Sequence, residues 1–468
     1  MLVAVLDAGT TTLRASLVDD DLRILATLED ITPMLRSRSG EASFDANELA
    51  RRARHLLDGL ARRGRADLVA LTNQRASAVV FDPTHRVALA PGIGWEDART
   101  AARCLELARH GVVVSPSESA TKFERLLAIA ELPDHAQVGT VDAWLVVTLT
   151  GSASTDPTNA AVTGLSDTEA LAWDGERLAL LGIAPERLVP IEPSVGPRGH
   201  VRLGGRDVPL VVVIGDQQAA HAGHPELTKL TIGTSAVADH WLGAASPPFA
   251  RRGGAGSFPV VLVDTTEPRT FGLEAFWPAA GSTVGWLVRR GILADAAEAT
   301  RLAERAGSAV PLVVPTFQGA GAPLWDLGAR GRIEGLSAAS GPAELTAGVL
   351  EGLAHVGVTL FSVLAADRAA AGYAPDLGDV ALDGRAGHNP RVAGVLASLL
   401  GRPVALGVQP EATTIGAARL ALGLPREAVP RGPLVEPGRI RPVHDHDSWR
   451  AALERSRGAV PALSAVAF

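Results

Sequence analysis

The first group of residues able to do chemistry is a threonine-rich turn near the start of the chain, Asp7-Ala8-Gly9-Thr10-Thr11-Thr12. Glycine lets the backbone come close to an anion, and free N–H groups in a turn form an anion-binding nest to which threonine hydroxyls add donors. A carboxylate at a strand end, such as that of Asp7, can hold a hydrated Mg²⁺ because hard oxygen ligands suit that ion. The turn therefore indicates either a phosphate and magnesium site or a plain hairpin turn whose N–H groups are satisfied by Asp7.

A second candidate is the acidic residue that ends an apolar run in the middle of the chain. Residues 208–214 are continuously apolar, which is typical of a buried strand, and Gly215-Asp216-Gln217-Gln218 follows directly. α/β proteins place ligand-facing groups at the carboxyl ends of their strands, where a carboxylate can accept a proton from a substrate hydroxyl. Asp216 is accordingly either a general base or the N-cap of a helix that begins near residue 219.

A second glycine-threonine turn, Gly233-Thr234-Ser235, lies between two short apolar stretches, as the first turn does. Two such turns, one from each half of the chain, suggest a clamp on one polyphosphate. Electrostatic positioning of this kind is what phosphoryl transfer chiefly requires.

Four residues of the first hundred have the chemistry of a site for a hydroxylated substrate: Arg75, Trp95, Asp97 and Arg99. The C–H surface of a sugar packs on an indole ring, and hydroxyls pair with charged groups. The alternative is a surface salt-bridge cluster beside a core tryptophan, and composition alone favours that alternative.

The elements that must position these residues alternate between strands and helices. Short β-rich runs within residues 2–28 predict a meander, and residues 47–62 have the periodicity of an amphipathic helix. A similar plan begins again after residue 208, which we interpret as a weak internal repeat. The alternation predicts an α/β fold with a boundary between its halves at residues 223–226. Further predicted elements are the strands 68–71 and 379–382 and the helices 343–365, 391–400 and 413–422.

Composition excludes several other classes of protein. Of 468 residues, 44 are Lys or Arg and 51 are Asp or Glu, and the net charge of −7 gives no whole-chain attraction to nucleic acid or to an anionic membrane. The single cysteine excludes an internal disulfide and a multi-cysteine metal site. Only Lys122 and Lys229 are lysines and neither follows a glycine, so the chain has no P-loop. No apolar run approaches the roughly 20 residues of a spanning helix, and we expect a cytoplasmic protein without a nucleic-acid or membrane partner.

Ten stretches, in order along nearly the whole chain, resemble the FGGY family of carbohydrate kinases. They are Asp7-x-Gly-Thr-Thr-x-x-Arg14, Thr72-Asn-Gln-Arg75, Gly94-Trp-x-Asp-x-Arg-Thr100, Val141-Asp-x-Trp144, Thr155-Asp-x-Thr-Asn159, Gly215-Asp-Gln-Gln-x-Ala220, Gly233-Thr234, Gly281-Ser282, Pro315-x-Phe-x-Gly-x-Gly-Ala-Pro-x-Trp-Asp326 with Ala329-Arg-Gly331, and Asp383-Gly384 with Asn389.

The resemblance implies two actin-like, ribonuclease H-like domains of the type found in hexokinase, with a cleft between them. Residues 1–224 would form the acceptor-side domain and residues 225–468 the nucleotide-side domain. It also implies transfer of the γ-phosphoryl group of ATP, with Mg²⁺, to a hydroxyl of a small polyol or sugar. A homodimer is possible on the same grounds.

The resemblance also assigns roles by position. Asp216 matches the catalytic base, and Asp7 and Asp216 would lie near Mg²⁺ through water. The residues that match the family's acceptor site are Arg75, Trp95, Asp216 and Gln217. Those that match its first phosphate motif are Gly9, Thr10, Thr11 and Arg14. Those that match its nucleotide side are Gly233, Thr234, Gly281, Gly384 and Asn389.

The chain departs from the glycerol kinases of that family around the acceptor. Ala76 stands where they have a glutamate, Ser117 where they have an aromatic residue, and Val237 where they have a phenylalanine. Losing a buried hydrogen bond to substrate costs orders of magnitude in discrimination. We therefore expect a pocket that is less tight on three sides and an acceptor other than glycerol, such as a tetritol or a ketose.

A further departure concerns the nucleotide, because the family's Asp-Gly-Gly becomes Asp383-Gly384-Arg385. Arg385 would either point outward or contact a phosphate. Together with Ala76 it motivates an alternative function, a catalytically weak sugar- or nucleotide-binding regulator on the same scaffold.

Overall fold

The computed structural model describes residues 1–37, 40–244, 247, 249–265, 269–407 and 411–464. Two halves, each with one main sheet, meet along an interface that we call the cleft, where Arg75 and Trp95 of the first half face Glu274 and Phe276 of the second. The strands of the first half are β1 (Val3–Ala8), β2 (Thr12–Val18), β3 (Ile24–Ile31), β4 (Met34–Arg36), β5 (Ala42–Phe44), β6 (Leu68–Asn73), β7 (Ala78–Asp82), β8 (Val87–Ala88), β9 (Gly92–Ile93), β10 (Gln137–Thr140), β11 (Ser166–Asp167), β12 (Ala172–Trp173), β13 (His200–Leu203) and β14 (Arg206–Gly215). Its helices are α1 (Ala46–Ala61), α2 (Ala101–Arg109), α3 (Ala120–Leu127), α4 (Val141–Thr150), α5 (Pro157–Ala161), α6 (Gly175–Leu180) and α7 (Asp216–Ala222).

The main sheet of the first half brings the candidate residues to one edge. Its strand order is β13-β14-β6-β1-β2-β3, in which β6 runs parallel to both β1 and β14. Asp7 is paired with Thr72 in register, and Gly215 with the next residue, Asn73. Because parallel strands end at the same edge, Asp7 and Asp216 are brought to one side of the sheet, with β6 between their strands.

A second sheet in the first half, of order β10-β7-β9-β5-β4, carries the loops around Ala76 and Trp95. Helix α3 packs against it, and Phe123 and Leu126 of that helix share a buried apolar cluster with Val80. The loops with Ala76 and Trp95 therefore rest on this smaller sheet, while the two candidate carboxylates rest on the main sheet.

The second half repeats the plan of the main sheet. Its strands are β15 (Thr228–Ile232), β16 (Ala236–Gly243), β17 (Phe258–Val263), β18 (Thr270–Trp277), β19 (Leu312–Val314), β20 (Arg332–Glu334), β21 (Val380–Asp383), β22 (Val404–Leu406) and β23 (Leu434–Val435). Its helices are α8 (Ser282–Arg289), α9 (Glu298–Ala303), α10 (Pro342–Ala370), α11 (Pro390–Leu400), α12 (Ala412–Ala421), α13 (His446–Glu454) and α14 (Pro461–Ser464).

The internal repeat predicted from the sequence is confirmed by the strand pairing. β15 is antiparallel to β16, β16 is antiparallel to β18, and β15 is parallel to β21. In the first half β1, β2, β3 and β6 pair in the same way. The turns at Gly9 and Gly233 thus occupy equivalent positions, each between the first two strands of its sheet.

Two helices of the second half tie the molecule together. Helix α10 is long and apolar enough to cross a membrane by length and composition, but 78% of its most apolar window is buried inside the protein, where it packs beneath β16 and β18. Helix α12 crosses to the other half, where Ile415 and Ala418 share an apolar cluster with Val3 and Val5 of β1. The sheet that carries Asp7 is therefore covered on one face by a helix from the second half.

Candidate active site

Asp7 lies at the edge of the main sheet with one carboxylate oxygen unsatisfied. Its Oδ1 atom is buried and has no hydrogen-bond partner in the part of the chain that the structure describes. Burial and the nearby charge of Asp216 raise the pKa of Asp7 to about 7, and Arg14 acts in the opposite direction. An oriented, buried carboxylate oxygen of this kind fits a hydrated divalent cation.

The turn beside Asp7 is tight and presents threonines to the cleft. The Gly9 N–H donates to the Thr12 carbonyl at 3.1 Å, and the Thr10 hydroxyl accepts the Trp95 Nε1–H at 2.9 Å. Thr11 is exposed. The turn therefore offers its backbone and hydroxyls to a ligand, and Trp95 fixes the orientation of one of those hydroxyls.

Arg14 follows this turn on β2 but is already engaged. It is the register partner of Asp7, and its guanidinium pairs with Glu29 at 2.7 Å and with Glu411, which precedes α12. Arg14 therefore lies beside the turn with its charge held by two carboxylates, and its role in the phosphate motif stays a prediction.

Asp216 begins helix α7 at the end of β14. Its Oδ1 accepts the Gln217 N–H at 2.8 Å and lies 3.8 Å from Arg75 Nε. Burial raises the pKa of Asp216, and the Arg75 charge partly offsets this effect. The side chain is 28% exposed, so solvent reaches a carboxylate whose proton affinity is above the ordinary value.

A buried lysine stands behind Gln217. Lys229 Nζ donates to Gln217 Oε1 at 3.1 Å and to Thr231 Oγ1 at 2.6 Å, and it lies 3.2 Å from Asp239 Oδ2. Lys229 and Asp239 have no solvent exposure. This role of Lys229 in holding Gln217 was not predicted from the sequence, although the rarity of lysine in the chain could have drawn attention to the residue.

Two pairs of side chains cross the cleft near Asp216. Arg75 donates from Nη1 and Nη2 to the two carboxylate oxygens of Glu274, at 2.7 and 3.0 Å. Trp95 meets Phe276 edge to face, with ring centroids 6.4 Å apart and an interplanar angle of 81°. Glu274 and Phe276 both lie on β18, a strand that the sequence analysis did not identify, and neither residue was predicted.

The second lysine organises the acceptor side. Lys122 Nζ lies within hydrogen-bonding distance of three carbonyl oxygens, those of Ser117 at 3.1 Å, Ala76 at 3.3 Å and Trp95 at 3.4 Å. Burial lowers the pKa of Lys122 to about 7, against the opposing charge of Asp97. One ammonium group therefore holds together the loops that carry three of the residues discussed above.

Asp97 and Arg99 form a salt bridge, which was the alternative interpretation for this group of residues. Asp97 is buried, accepts the Ala42 N–H at 2.6 Å and pairs with the Arg99 guanidinium at 2.7 Å. The pair braces the loop after Trp95 and leaves only Trp95 and Arg75 of that group at the cleft.

The glycines assigned to the nucleotide side converge around the Gly233 turn. The Gly281 N–H donates to the Gly233 carbonyl at 2.9 Å, and a Cβ at Gly281 would lie 2.2 Å from that oxygen. Gly384 has a φ of +82°, and a Cβ there would lie 2.5 Å from the Ile232 carbonyl. Gly281 and Gly384 are thus required for the close packing of the backbone around the Gly233 turn, beside the exposed Thr234.

Asn389 and Arg385 flank the surface around the Gly233 turn. Asn389 Oδ1 caps helix α11 by accepting the Arg391 N–H at 3.0 Å, and its Nδ2 donates to Thr300 Oγ1 at 2.9 Å. Arg385 is exposed. Asn389 thus shapes the surface through its cap, and Arg385 lies exposed one residue after Gly384.

Comparison with known proteins shows the family to which the chain belongs. The N-terminal domain of the FGGY family of carbohydrate kinases matches residues 2–223, and the C-terminal domain matches residues 229–423. A glycerol kinase from Cereibacter sphaeroides is 33% identical over 456 residues, which covers 90% of each chain. One from Thermus brockianus is 36% identical over 428 residues, which covers 83% of this chain and 84% of that one.

The fold is also that of a solved kinase structure. The crystal structure of Plasmodium falciparum glycerol kinase with ADP superimposes with a TM-score of 0.84 at 22% identity, and the match covers 97% of this chain and 98% of that one. Its two-domain, actin-like and hexokinase-like architecture is the one predicted from the sequence. The chain belongs to the FGGY family of carbohydrate kinases, which are ATP-dependent phosphotransferases that use Mg²⁺.

Proposed function

We propose that this protein transfers the γ-phosphoryl group of ATP to a hydroxyl of a small neutral polyol or ketose other than glycerol. The observation that carries the proposal is the position of Asp216, a partly exposed carboxylate at the end of β14 that lies 3.8 Å from Arg75 Nε and close enough to Asp7 for its charge to raise the pKa of Asp7. Phosphoryl transfer needs positioned charges and a proton acceptor more than covalent help from the protein.

In this proposal Asp216 accepts the proton of the acceptor hydroxyl as the hydroxyl oxygen bonds to the γ-phosphorus, while the bond from that phosphorus to the β,γ-bridging oxygen breaks and ADP leaves. Its raised proton affinity suits that task, because a base with an ordinary aspartate pKa is a weaker proton acceptor. Gln217, which Lys229 holds in place, and Arg75 orient the acceptor. Mg²⁺, when bound, neutralises charge on the phosphate oxygens, and the unsatisfied Asp7 Oδ1 is positioned to hold its water shell together with Asp216.

The remaining predicted residues divide between the two phosphate turns and the nucleotide. Gly9, Thr10 and Thr11 would contact phosphates from the first half, and Gly233 and Thr234 from the second. Gly281 and Gly384 would shape the nucleotide side, because only a residue without a Cβ lets their backbone pack against the carbonyls of Gly233 and Ile232 beside Thr234. Closure of the halves excludes the water that would otherwise accept the phosphoryl group.

The choice of an acceptor other than glycerol rests on Ala76 and Ser117. Ala76 offers a methyl group and Ser117 a short hydroxyl where glycerol kinases have a carboxylate and an aromatic ring, and Lys122 holds the backbone of both positions in place. The volume that these short side chains leave suits an acceptor with additional hydroxylated carbons. The regulator alternative has no observation in its favour, since Arg385 is exposed and Asp7, Asp216 and both turns are present together.

The test is ADP release with a panel of neutral acceptors of three to six carbons. We expect stimulation by at least one four- or five-carbon acceptor above that by glycerol, and a loss of about 10²- to 10⁴-fold in kcat with Asp216→Asn. Asp447→Asn, which changes an exposed aspartate on α13, serves as the matched control. If no acceptor stimulates ADP release, or if glycerol is preferred, the proposal is wrong.

A further inference from the structure

Position 237 and position 276 are neighbours across two strands. Val237 of β16 and Phe276 of β18 are direct register partners in an antiparallel pair, so their side chains lie on the same face of the sheet. Val237 is 4% exposed, whereas Phe276 is half-exposed and projects into the cleft against Trp95. The space expected beside Val237 is therefore bordered by an aromatic ring from the next strand.

We propose that Phe276 is the second aromatic wall of the acceptor site and takes over, from the neighbouring strand, the role of the ring that Val237 lacks. This inference rests on the proposed function and adds a specificity-determining residue to it. Adjacent strands lie about 4.8 Å apart, so the ring surface is displaced by that distance and joined to Trp95. The pair presents one continuous apolar corner to the carbon-bound hydrogens of an acceptor.

The charges beside Phe276 restrict the acceptor to a neutral molecule. Glu274, two residues earlier on the same face of β18, binds both terminal nitrogens of Arg75, and Asp239, its register partner on β16, pairs with Lys229. The positive charges of Arg75 and Lys229 are thus each balanced by a carboxylate, and the negative charge of Asp216 remains unbalanced. An acceptor that carries its own carboxylate would meet net negative charge.

The opening in the site then lies on the first half of the protein. Phe276 lies on the side of the second half, while on the side of the first half Ala76 and Ser117 carry only short side chains. The backbone there is fixed, because Lys122 holds both carbonyls. An acceptor with its carbon chain on the aromatic corner would extend its further hydroxylated carbons toward Ala76 and Ser117, which favours four or five carbons over three.

The experiment removes the ring and then moves it back to the other strand. Phe276→Leu keeps apolar volume without the ring, and we expect it to raise KM for the preferred four- or five-carbon acceptor by about 10- to 100-fold, with KM for ATP within twofold of the parent. Val237→Phe combined with Phe276→Ser should recover part of the loss and shift preference toward glycerol. Tyr373→Leu, which removes a half-exposed ring packed on Arg368, is the matched control.

A second arm tests the charge argument with a five-carbon aldonate and the pentitol of the same length. The parent should prefer the pentitol at least 100-fold in kcat/KM, and Glu274→Gln should narrow that ratio by tenfold or more. An unchanged acceptor KM in Phe276→Leu, or an aldonate used as well as the pentitol, would overturn this inference. If the parent protein phosphorylates no neutral acceptor at all, the proposed function itself fails, which is a separate outcome.

Discussion

Replacing Asp7 by asparagine should make the metal-free protein more stable at neutral pH while abolishing phosphoryl transfer. The carboxylate is held next to Asp216, with one oxygen buried and unsatisfied, and this arrangement is unfavourable until a cation binds. Asparagine has nearly the same shape and carries no charge. The substitution therefore removes an electrostatic penalty from the folded state together with the magnesium-binding group.

The size of the effect follows from the pKa of Asp7, which burial and the Asp216 charge raise from 3.8 to about 7. Below pH 3.8 the carboxyl is protonated in both the folded and the unfolded chain, and no penalty exists. Between pH 3.8 and 7 only the folded chain keeps the proton, so the free energy of unfolding falls by about 1.4 kcal/mol per pH unit. Above pH 7 the free energy of unfolding has fallen by its full amount. That amount is roughly 2 to 4 kcal/mol, because solvent in the cleft screens part of the electrostatic penalty.

The assay is denaturant unfolding in EDTA at pH 5 and pH 8. Asp7→Asn should exceed the parent in stability at both pH values, by more at pH 8, and Mg²⁺ with ATP should narrow the gap by stabilising the parent alone. Asp97→Asn is the matched control of opposite sign: burial acts to raise the pKa of Asp97, but the hydrogen bonds from Arg99 and Ala42 outweigh it and leave the pKa low. That variant should be destabilised at pH 8. An Asp7→Asn protein that is less stable than the parent at pH 8 in EDTA would refute the reasoning.

Four further outcomes are expected. Gly384→Ala should weaken ATP binding at least tenfold in a fluorescence titration, because the new Cβ meets the Ile232 carbonyl, whereas Gly372→Ala, with the same φ of +82° and open space, should bind ATP normally. Arg385→Ala should leave KM for ATP within twofold, and a tenfold rise would place that side chain on a phosphate. Lys229→Met should lower stability by about 3 to 5 kcal/mol in denaturant unfolding, and adding Asp239→Leu should restore much of it. Removing Mg²⁺ should weaken ATP binding, measured calorimetrically, more than raising NaCl tenfold does.

The elements around Asp7 and Asp216 could be predicted because their sequences are locally consistent. The strand expected at 208–214 is Arg206–Gly215, the helix at 47–62 is Ala46–Ala61, and the helix at 343–365 is Pro342–Ala370. Each is an apolar run or a periodic stripe of apolar residues with a clear end in the sequence, so the local sequence pattern is sufficient to predict the element. The carboxylates at the strand ends follow from the same pattern.

The opposite wall of the site could not be predicted in the same way. Glu274 and Phe276 lie on β18, and their position depends on the register of β18 with β16 and on how the two halves close. The cross-cleft contacts to Arg75 and Trp95 join residues that are 181 to 199 positions apart, which no local pattern encodes. The expectation of an empty space beside Val237 was drawn from that position alone, and the ring that borders it comes from its cross-strand partner.

The same contacts change what the rarity of lysine means for phosphate binding. The cations nearest the two candidate carboxylates are already matched, since Arg14 pairs with Glu29 and Glu411, Arg75 with Glu274, and Lys229 with Asp239. A triphosphate entering this cleft would therefore find backbone N–H groups, threonine hydroxyls and the two carboxylates rather than a free ammonium group. Because those carboxylates repel the phosphates unless a divalent ion lies between them, nucleotide and metal should bind as one unit. In the proposed function a bound divalent ion, rather than the lysine of a P-loop, would supply the positive charge beside the phosphates.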